Sequence, residues 1–201
     1  MAARPVGSAD RGVPRVHQLA GSAAHLQVPI KHSLKPRLAV FAPSAADVIG
    51  VTGGWLFDQV LAGWDVTAVT AGTAVHVDQR PLRILGVRGV DLESALGFPV
   101  QGSCLQAIAV CTELYRGDER VRQLVLAAAD AGRTDIRAWG DAWPDDFDGQ
   151  AGLVSHRLSA AARAFKAQAL AATKPPSVSV TAATDGIEVF RRAAIRRLAM
   201  A

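Results

Sequence analysis

The sequence predicts an α/β domain: a Rossmann-like or flavodoxin-like parallel sheet of about four to five strands with flanking helices. Three observations carry this. Short apolar or β-branched runs alternate with longer amphipathic stretches, as in βαβ units. No internal repeat is visible. Half of the 201 residues are hydrophobic, enough to fill one core in a chain of this length.

Residues 1–36 come first and read as a disordered basic tail. Pro5, Pro14, Pro29 and Pro36 punctuate it, with Gly and Ser between and no lasting apolar period. The single α/β domain is expected over residues 37–201. Residues 38–42 (Leu-Ala-Val-Phe-Ala) form a short apolar run that reads as a first buried strand. Ser44 and Asp47 give the Ser-x-x-Asp pattern of a helix start, and Gly63 marks its stop. Gly53 and Gly54 lie inside that helix. They imply either close packing against a neighbour or a break beside a ligand.

Residues 64–69 read as a second strand and residues 81–86 as a third, with a short helix at 91–96. Two helices are expected next, one from Cys104 to Tyr115 and one starting at Asp118. A fourth strand follows at 135–140, then an acidic loop at 141–152. A long helix is expected over 155–172, with Leu158, Ala161, Ala162, Phe165 and Ala169 as its apolar stripe. An edge strand at 177–181 and a basic helix at 185–200 complete the pattern.

The net charge of +4 is unevenly placed. Residues 1–37 hold six basic groups against one acidic, and residues 185–201 hold four against two. The remainder holds 12 basic and 15 acidic groups, so the body is mildly acidic. A basic folded face for nucleic acid is therefore not expected, and any such binding is weak and through the ends. No apolar run approaches the ~18 residues of a membrane span, and no signal-like stretch opens the chain. Two cysteines without a Cys-x-x-Cys motif suit a reducing, cytoplasmic setting.

In an open parallel sheet, ligands sit outside the strand carboxyl ends. The loops expected there supply Ser44, Thr70, Gly72, Thr73, Arg88 and Asp141 as candidate ligand-binding residues, suited to a phosphate or carboxylate. The same residue types are common in any loop. Neither G-x-x-x-x-G-K-[ST] nor G-x-G-x-x-G occurs, which argues against P-loop and standard dinucleotide binding. Cys104 at a helix start is a weak nucleophile candidate, with His76 or His156 its only sequence-level partners. Asp145, Asp146 and Asp148 lack calcium-loop spacing. No cofactor, metal site or catalytic residue is expected.

Arg191, Arg192, Arg196 and Arg197 flank the apolar face of the expected last helix and are candidate partner contacts, with a protein partner, another subunit or the acidic loop opposite them. With no catalytic motif and both ends suited to contact, the leading expectation is a non-catalytic binding or scaffolding protein. The alternative is an enzyme or sensor holding a nucleotide-like or sugar-phosphate ligand at the strand carboxyl ends.

Overall fold

The computed structural model describes residues 35–71, 78–97, 105–141, 143–147, 152–173 and 186–192. The expected tail lies outside these residues up to position 34, as do Gly72, Thr73, His76, Cys104, Asp148, Arg196, Arg197 and the strand expected at 177–181. All the elements below fall in the unit Ser33–Ala201.

Five strands run parallel: β1 (Arg37–Ala42), β2 (Asp65–Thr70), β3 (Arg88–Asp91), β4 (Ala107–Cys111) and β5 (Asp135–Trp139). Two more, β6 (Leu153–Arg157) and β7 (Ile187–Arg192), join antiparallel, giving the order β3-β2-β1-β4-β5-β7-β6. The sheet is therefore mixed and seven-stranded, not a parallel sheet of four to five. β1 and β4 are central and buried on both faces, so they read as unbroken apolar runs.

Helix α1 (Ala45–Leu61) begins where the sequence places it. The Ser44 hydroxyl accepts from the Asp47 N–H at 3.2 Å and donates to the Asp47 carboxylate at 2.6 Å. The helix ends before Gly63, whose φ of +90° only glycine adopts easily. Helices α3 (Leu92–Gly97) and α5 (Glu119–Asp130), the latter capped by Asp118, also stand near their expected places.

Four expectations are corrected. Residues 81–86 are not a strand: α2 (Arg80–Ile84) forms there, with Pro81 in its first turn and Leu82 buried. The helix expected from Cys104 is instead strand β4 followed by the short helix α4 (Thr112–Gly117). The long helix expected from residue 155 is β6 followed by α6 (Ala160–Ala172), capped by Ser159. The basic helix expected from residue 185 is strand β7 through Arg192.

Strand register assigns the two faces. Arg137 and Phe190 meet α1 through Trp55: the Arg137 guanidinium lies 4.8 Å from the indole centroid, and the Phe190 and Trp55 rings are 4.9 Å apart. On this face α1, α2 and α6 pack together. Ala39, Phe41, Thr67, Val69 and Val90 lie on the other face, towards Leu96 of α3 and Leu124 of α5.

The α1 side holds a buried ion pair. Lys166 on α6 and Glu188 on β7 meet at 2.6 Å, their side chains only 7% and 3% exposed. The Glu188 carboxylate also accepts the N–H groups of Gly54 at 3.0 Å and Trp55 at 2.8 Å. A buried carboxylate needs this many donors to offset its lost hydration. Gly54 also lets Leu158 approach α1, since a Cβ there would meet the Leu158 side chain at 2.5 Å. Of the two readings of Gly53-Gly54, the packing one holds. Lys166, not among the residues of the apolar stripe expected for this helix, is part of the buried face of α6 with Ala162 and Ala169. No helix among the described residues is long and apolar enough to cross a membrane.

Candidate functional site

Parallel strands that end together leave their last carbonyls and the following loops at one edge, and helices start there. At the ends of β4 and β5 this edge opens into a cleft of about 500 Å³, lined by Cys111, Thr112, Glu113, Arg116, Gly117, Gly140 and Asp141. β4 delivers Cys111 to its last position, and the chain turns directly into α4. Thr112 is thereby placed in the first turn, 1% exposed.

Thr112 lines the cleft although its side chain is otherwise buried. Gly140 closes the opposite wall. Its φ of +129° is open to glycine, and a Cβ there would strike the Thr112 hydroxyl. Beyond it stands Asp141. The carboxylates of Glu113 and Asp141 and the guanidinium of Arg116 are exposed, and among the described residues they have no ion-pair partner. The cleft therefore presents one buried hydroxyl, two carboxylates and one cation, all available to a ligand.

A second group joins α4 and α5 to the acidic loop. Arg122 grips Asp146 through two nitrogens at 2.9 and 3.1 Å, and the Tyr115 hydroxyl donates to Asp146 at 3.0 Å. Arg122 first, and then Tyr115, hold the Asp146 carboxyl below its ordinary value against the opposing effect of burial. Burial and the neighbouring Asp146 push the Tyr115 phenol well above its usual range. Tyr115, Trp143 and Phe147 form an aromatic cluster, with ring centroids 4.7 and 5.3 Å from Phe147.

The predicted site residues fare unequally. Asp141 lines the cleft. Ser44 caps α1 at the end of β1, and Thr70, 5% exposed, ends the neighbouring β2; neither lines the cleft. Arg88 is misplaced by the expectation: with residues 81–86 helical, it begins β3 and pairs with Asp65 at 3.3 Å, at the amino ends of the strands. Arg191 stacks on Trp143 at 5.1 Å and Arg192 pairs with Asp135 at 3.2 Å. These two arginines are thus engaged within the chain, in a strand and not on a helix. The acidic loop they were expected to meet commits Asp146 to Arg122. His156 meets Asp58 at 2.9 Å, far in sequence from the cleft residues. Thr112, Glu113 and Arg116 went unrecognised because β4 was read as helix, which hid the strand end that presents them.

The sequence matches no family model and no curated protein. Solved structures do share the fold. The A40926 pseudoaglycone deacetylase Dbv21 superposes with a TM-score of 0.54 at 17% identity, covering 79% of this chain and 97% of its own. A deacetylase in complex with teicoplanin, from the teicoplanin biosynthesis pathway, gives 0.56 at 13% identity, covering 80% and 98%. This chain is similar to them in fold. Both are enzymes, and the expectation of a non-catalytic scaffold is corrected on that finding, which fits the alternative reading better. Among the described residues no three His, Cys, Asp or Glu side chains come together as a group that could hold a metal ion.

Proposed function

We propose that this chain is an enzyme that binds a small polar ligand in the cleft between the ends of β4 and β5, and that its reaction is hydrolysis of an N-acyl group. The observation that carries it is the cleft itself, which brings the buried Thr112 together with the exposed Glu113, Arg116 and Asp141 at the strand carboxyl ends. The shared fold with two deacetylases supports the reaction class. In this proposal Asp141 takes a proton from water as the water oxygen bonds to the acyl carbon. Arg116 faces the charge that develops on the acyl oxygen. The C–N bond then breaks, and the proton held by Asp141 passes to the departing amine. Thr112 orients the ligand.

A second reading concerns the ligand. The parallel strands follow the order β3-β2-β1-β4-β5, that of Rossmann-like nucleotide-binding sheets. This supports a nucleotide-like or sugar-phosphate group, with Arg116 as its anion partner.

The test is a panel of N-acetylated amino sugars, N-acyl amino acids, nucleotides and sugar phosphates, read by free-amine release and by melting temperature. The expected result is release from at least one acylated compound, lost in Asp141→Asn, with a melting rise of several degrees that Thr112→Val abolishes. A melting rise with nucleotides or sugar phosphates alone supports the second reading against the first. No release and no rise across the panel overturns the site.

A further inference from the structure

A second cavity lies on the sheet face opposite α1 and shares no residue with the cleft. It encloses about 220 Å³ between the sheet and helices α3 and α5. Its body is apolar, formed chiefly by Phe41, Val69, Val90, Leu96, Leu105 and Leu124. Several of these side chains are only half-buried. Empty apolar walls forfeit dispersion contacts, and a dry cavity of about 150 Å³ is already large enough to hold benzene.

The charged groups of this cavity come from the amino ends of three adjacent strands. Arg37 of β1 and Arg88 of β3 flank Asp65 of β2, at 4.0 and 3.3 Å. Two guanidinium groups share one carboxylate, which leaves one positive charge in excess. Arg88 has a side chain 66% exposed and free to turn towards an incoming group. An apolar chamber with an excess guanidinium beside it is complementary to a molecule with an apolar body and a single anionic head. Guanidinium binds carboxylate through paired, charge-assisted hydrogen bonds.

We propose that this cavity is a binding site for a small carboxylate amphiphile, its short acyl or aromatic body against Phe41, Val90 and Leu124 and its carboxylate at Arg88 and Arg37. The site is independent of the cleft. Arg88, which the sequence assigns to the strand carboxyl ends, acts here at the opposite end of the sheet.

Octanoate is the probe, titrated into the full chain by calorimetry, with acetate and octyltrimethylammonium as controls. Saturable one-to-one binding of octanoate is expected, with neither control binding. Arg88→Gln should weaken octanoate at least tenfold. Leu124→Trp, which fills the chamber, should abolish binding while circular dichroism stays that of the parent. Equal binding of octanoate and octyltrimethylammonium would remove the headgroup assignment. Absent octanoate binding, or binding unchanged in both variants, would overturn the site. So would concentration-dependent self-association that octanoate does not disturb, which would make a second copy the occupant.

Discussion

On one face of the sheet, α1, α2 and α6 lie close, small residues face one another, and a Lys166–Glu188 pair is sealed inside with two α1 N–H groups as further donors. On the other face, α3, α4 and α5 are short or half-buried, ion pairs such as Arg120–Glu93 are exposed, and a 220 Å³ cavity remains. The same strands serve both faces. The difference therefore comes from what covers them: one side is fixed by side chains with a single solution, the other leaves volume and charge unassigned. A protein that binds small molecules needs both kinds of surface, a rigid frame and unfilled space.

The sharpest way to break the closed face is to remove one partner of its buried pair. Lys166→Met leaves Glu188 without its cation, 3% exposed and held only by two N–H groups. A loss of about 3–5 kcal/mol in urea unfolding is expected. A loss below 1 kcal/mol would show that the face is not sealed and would erase the contrast.

Two glycines of α1 sharpen the comparison within one helix. Gly54→Ala drives a methyl into Leu158 and should cost about 1–3 kcal/mol despite the better helix propensity of alanine. Gly50→Ala meets nothing within 4 Å and is exposed, so it should gain up to about 1 kcal/mol. Melting temperatures of the two variants should move in opposite directions.

These contrasts bear on how much was legible in the sequence. The start of α1 was, because Ser44 and Asp47 satisfy free N–H groups locally. So were β1, β2, β5 and the Asp118 cap, each defined by neighbours a few residues away. β4 was not. Its Ala-Ile-Ala-Val-Cys is buried on both faces and so shows no alternation, and it runs straight into α4, letting Ile108, Cys111 and Tyr115 imitate a helical period. β7 misled for a different reason. Its inward residues are Glu188 and Phe190, while Ile187 and Val189 face outward at 53% and 49% exposed. A buried glutamate becomes intelligible only once Lys166 and α1 are in place, and both are distant in sequence. The cleft inherited the β4 error, so of its charged residues only Asp141 was named in advance.

Acid should test the open face. Asp146 is held below its ordinary value by Arg122, with burial opposing and Tyr115 assisting. Its folded-state value is depressed, so its contribution is complete above the unfolded carboxyl value of about 4 and is lost as pH falls through the lower folded value. Both partners are about a third exposed, at 35% and 32%, which limits the effect to about 1 kcal/mol or less. Asp146→Asn should lower the melting temperature at pH 7 and leave it nearly unchanged at pH 2, where parent and variant converge. A difference of equal size at both pH values would assign Asp146 a packing role instead.

The smallest expected effect concerns the cavity itself. Val90→Ile adds one methylene to a half-buried residue that lines the chamber and keeps the β-branch suited to β3. On the closed face an added carbon collides, as Gly54 and Leu158 show. Here it enters unfilled space and exchanges water contact for apolar contact, which is favourable by at most about 0.8 kcal/mol per methylene. A small rise in melting temperature is expected, together with weaker octanoate binding, because the methylene occupies volume the amphiphile needs. The two readouts are opposed in sign, and that opposition is the point of the test. A variant both destabilised and unchanged in octanoate binding would show that the chamber walls already touch, and the two faces would then be closed alike.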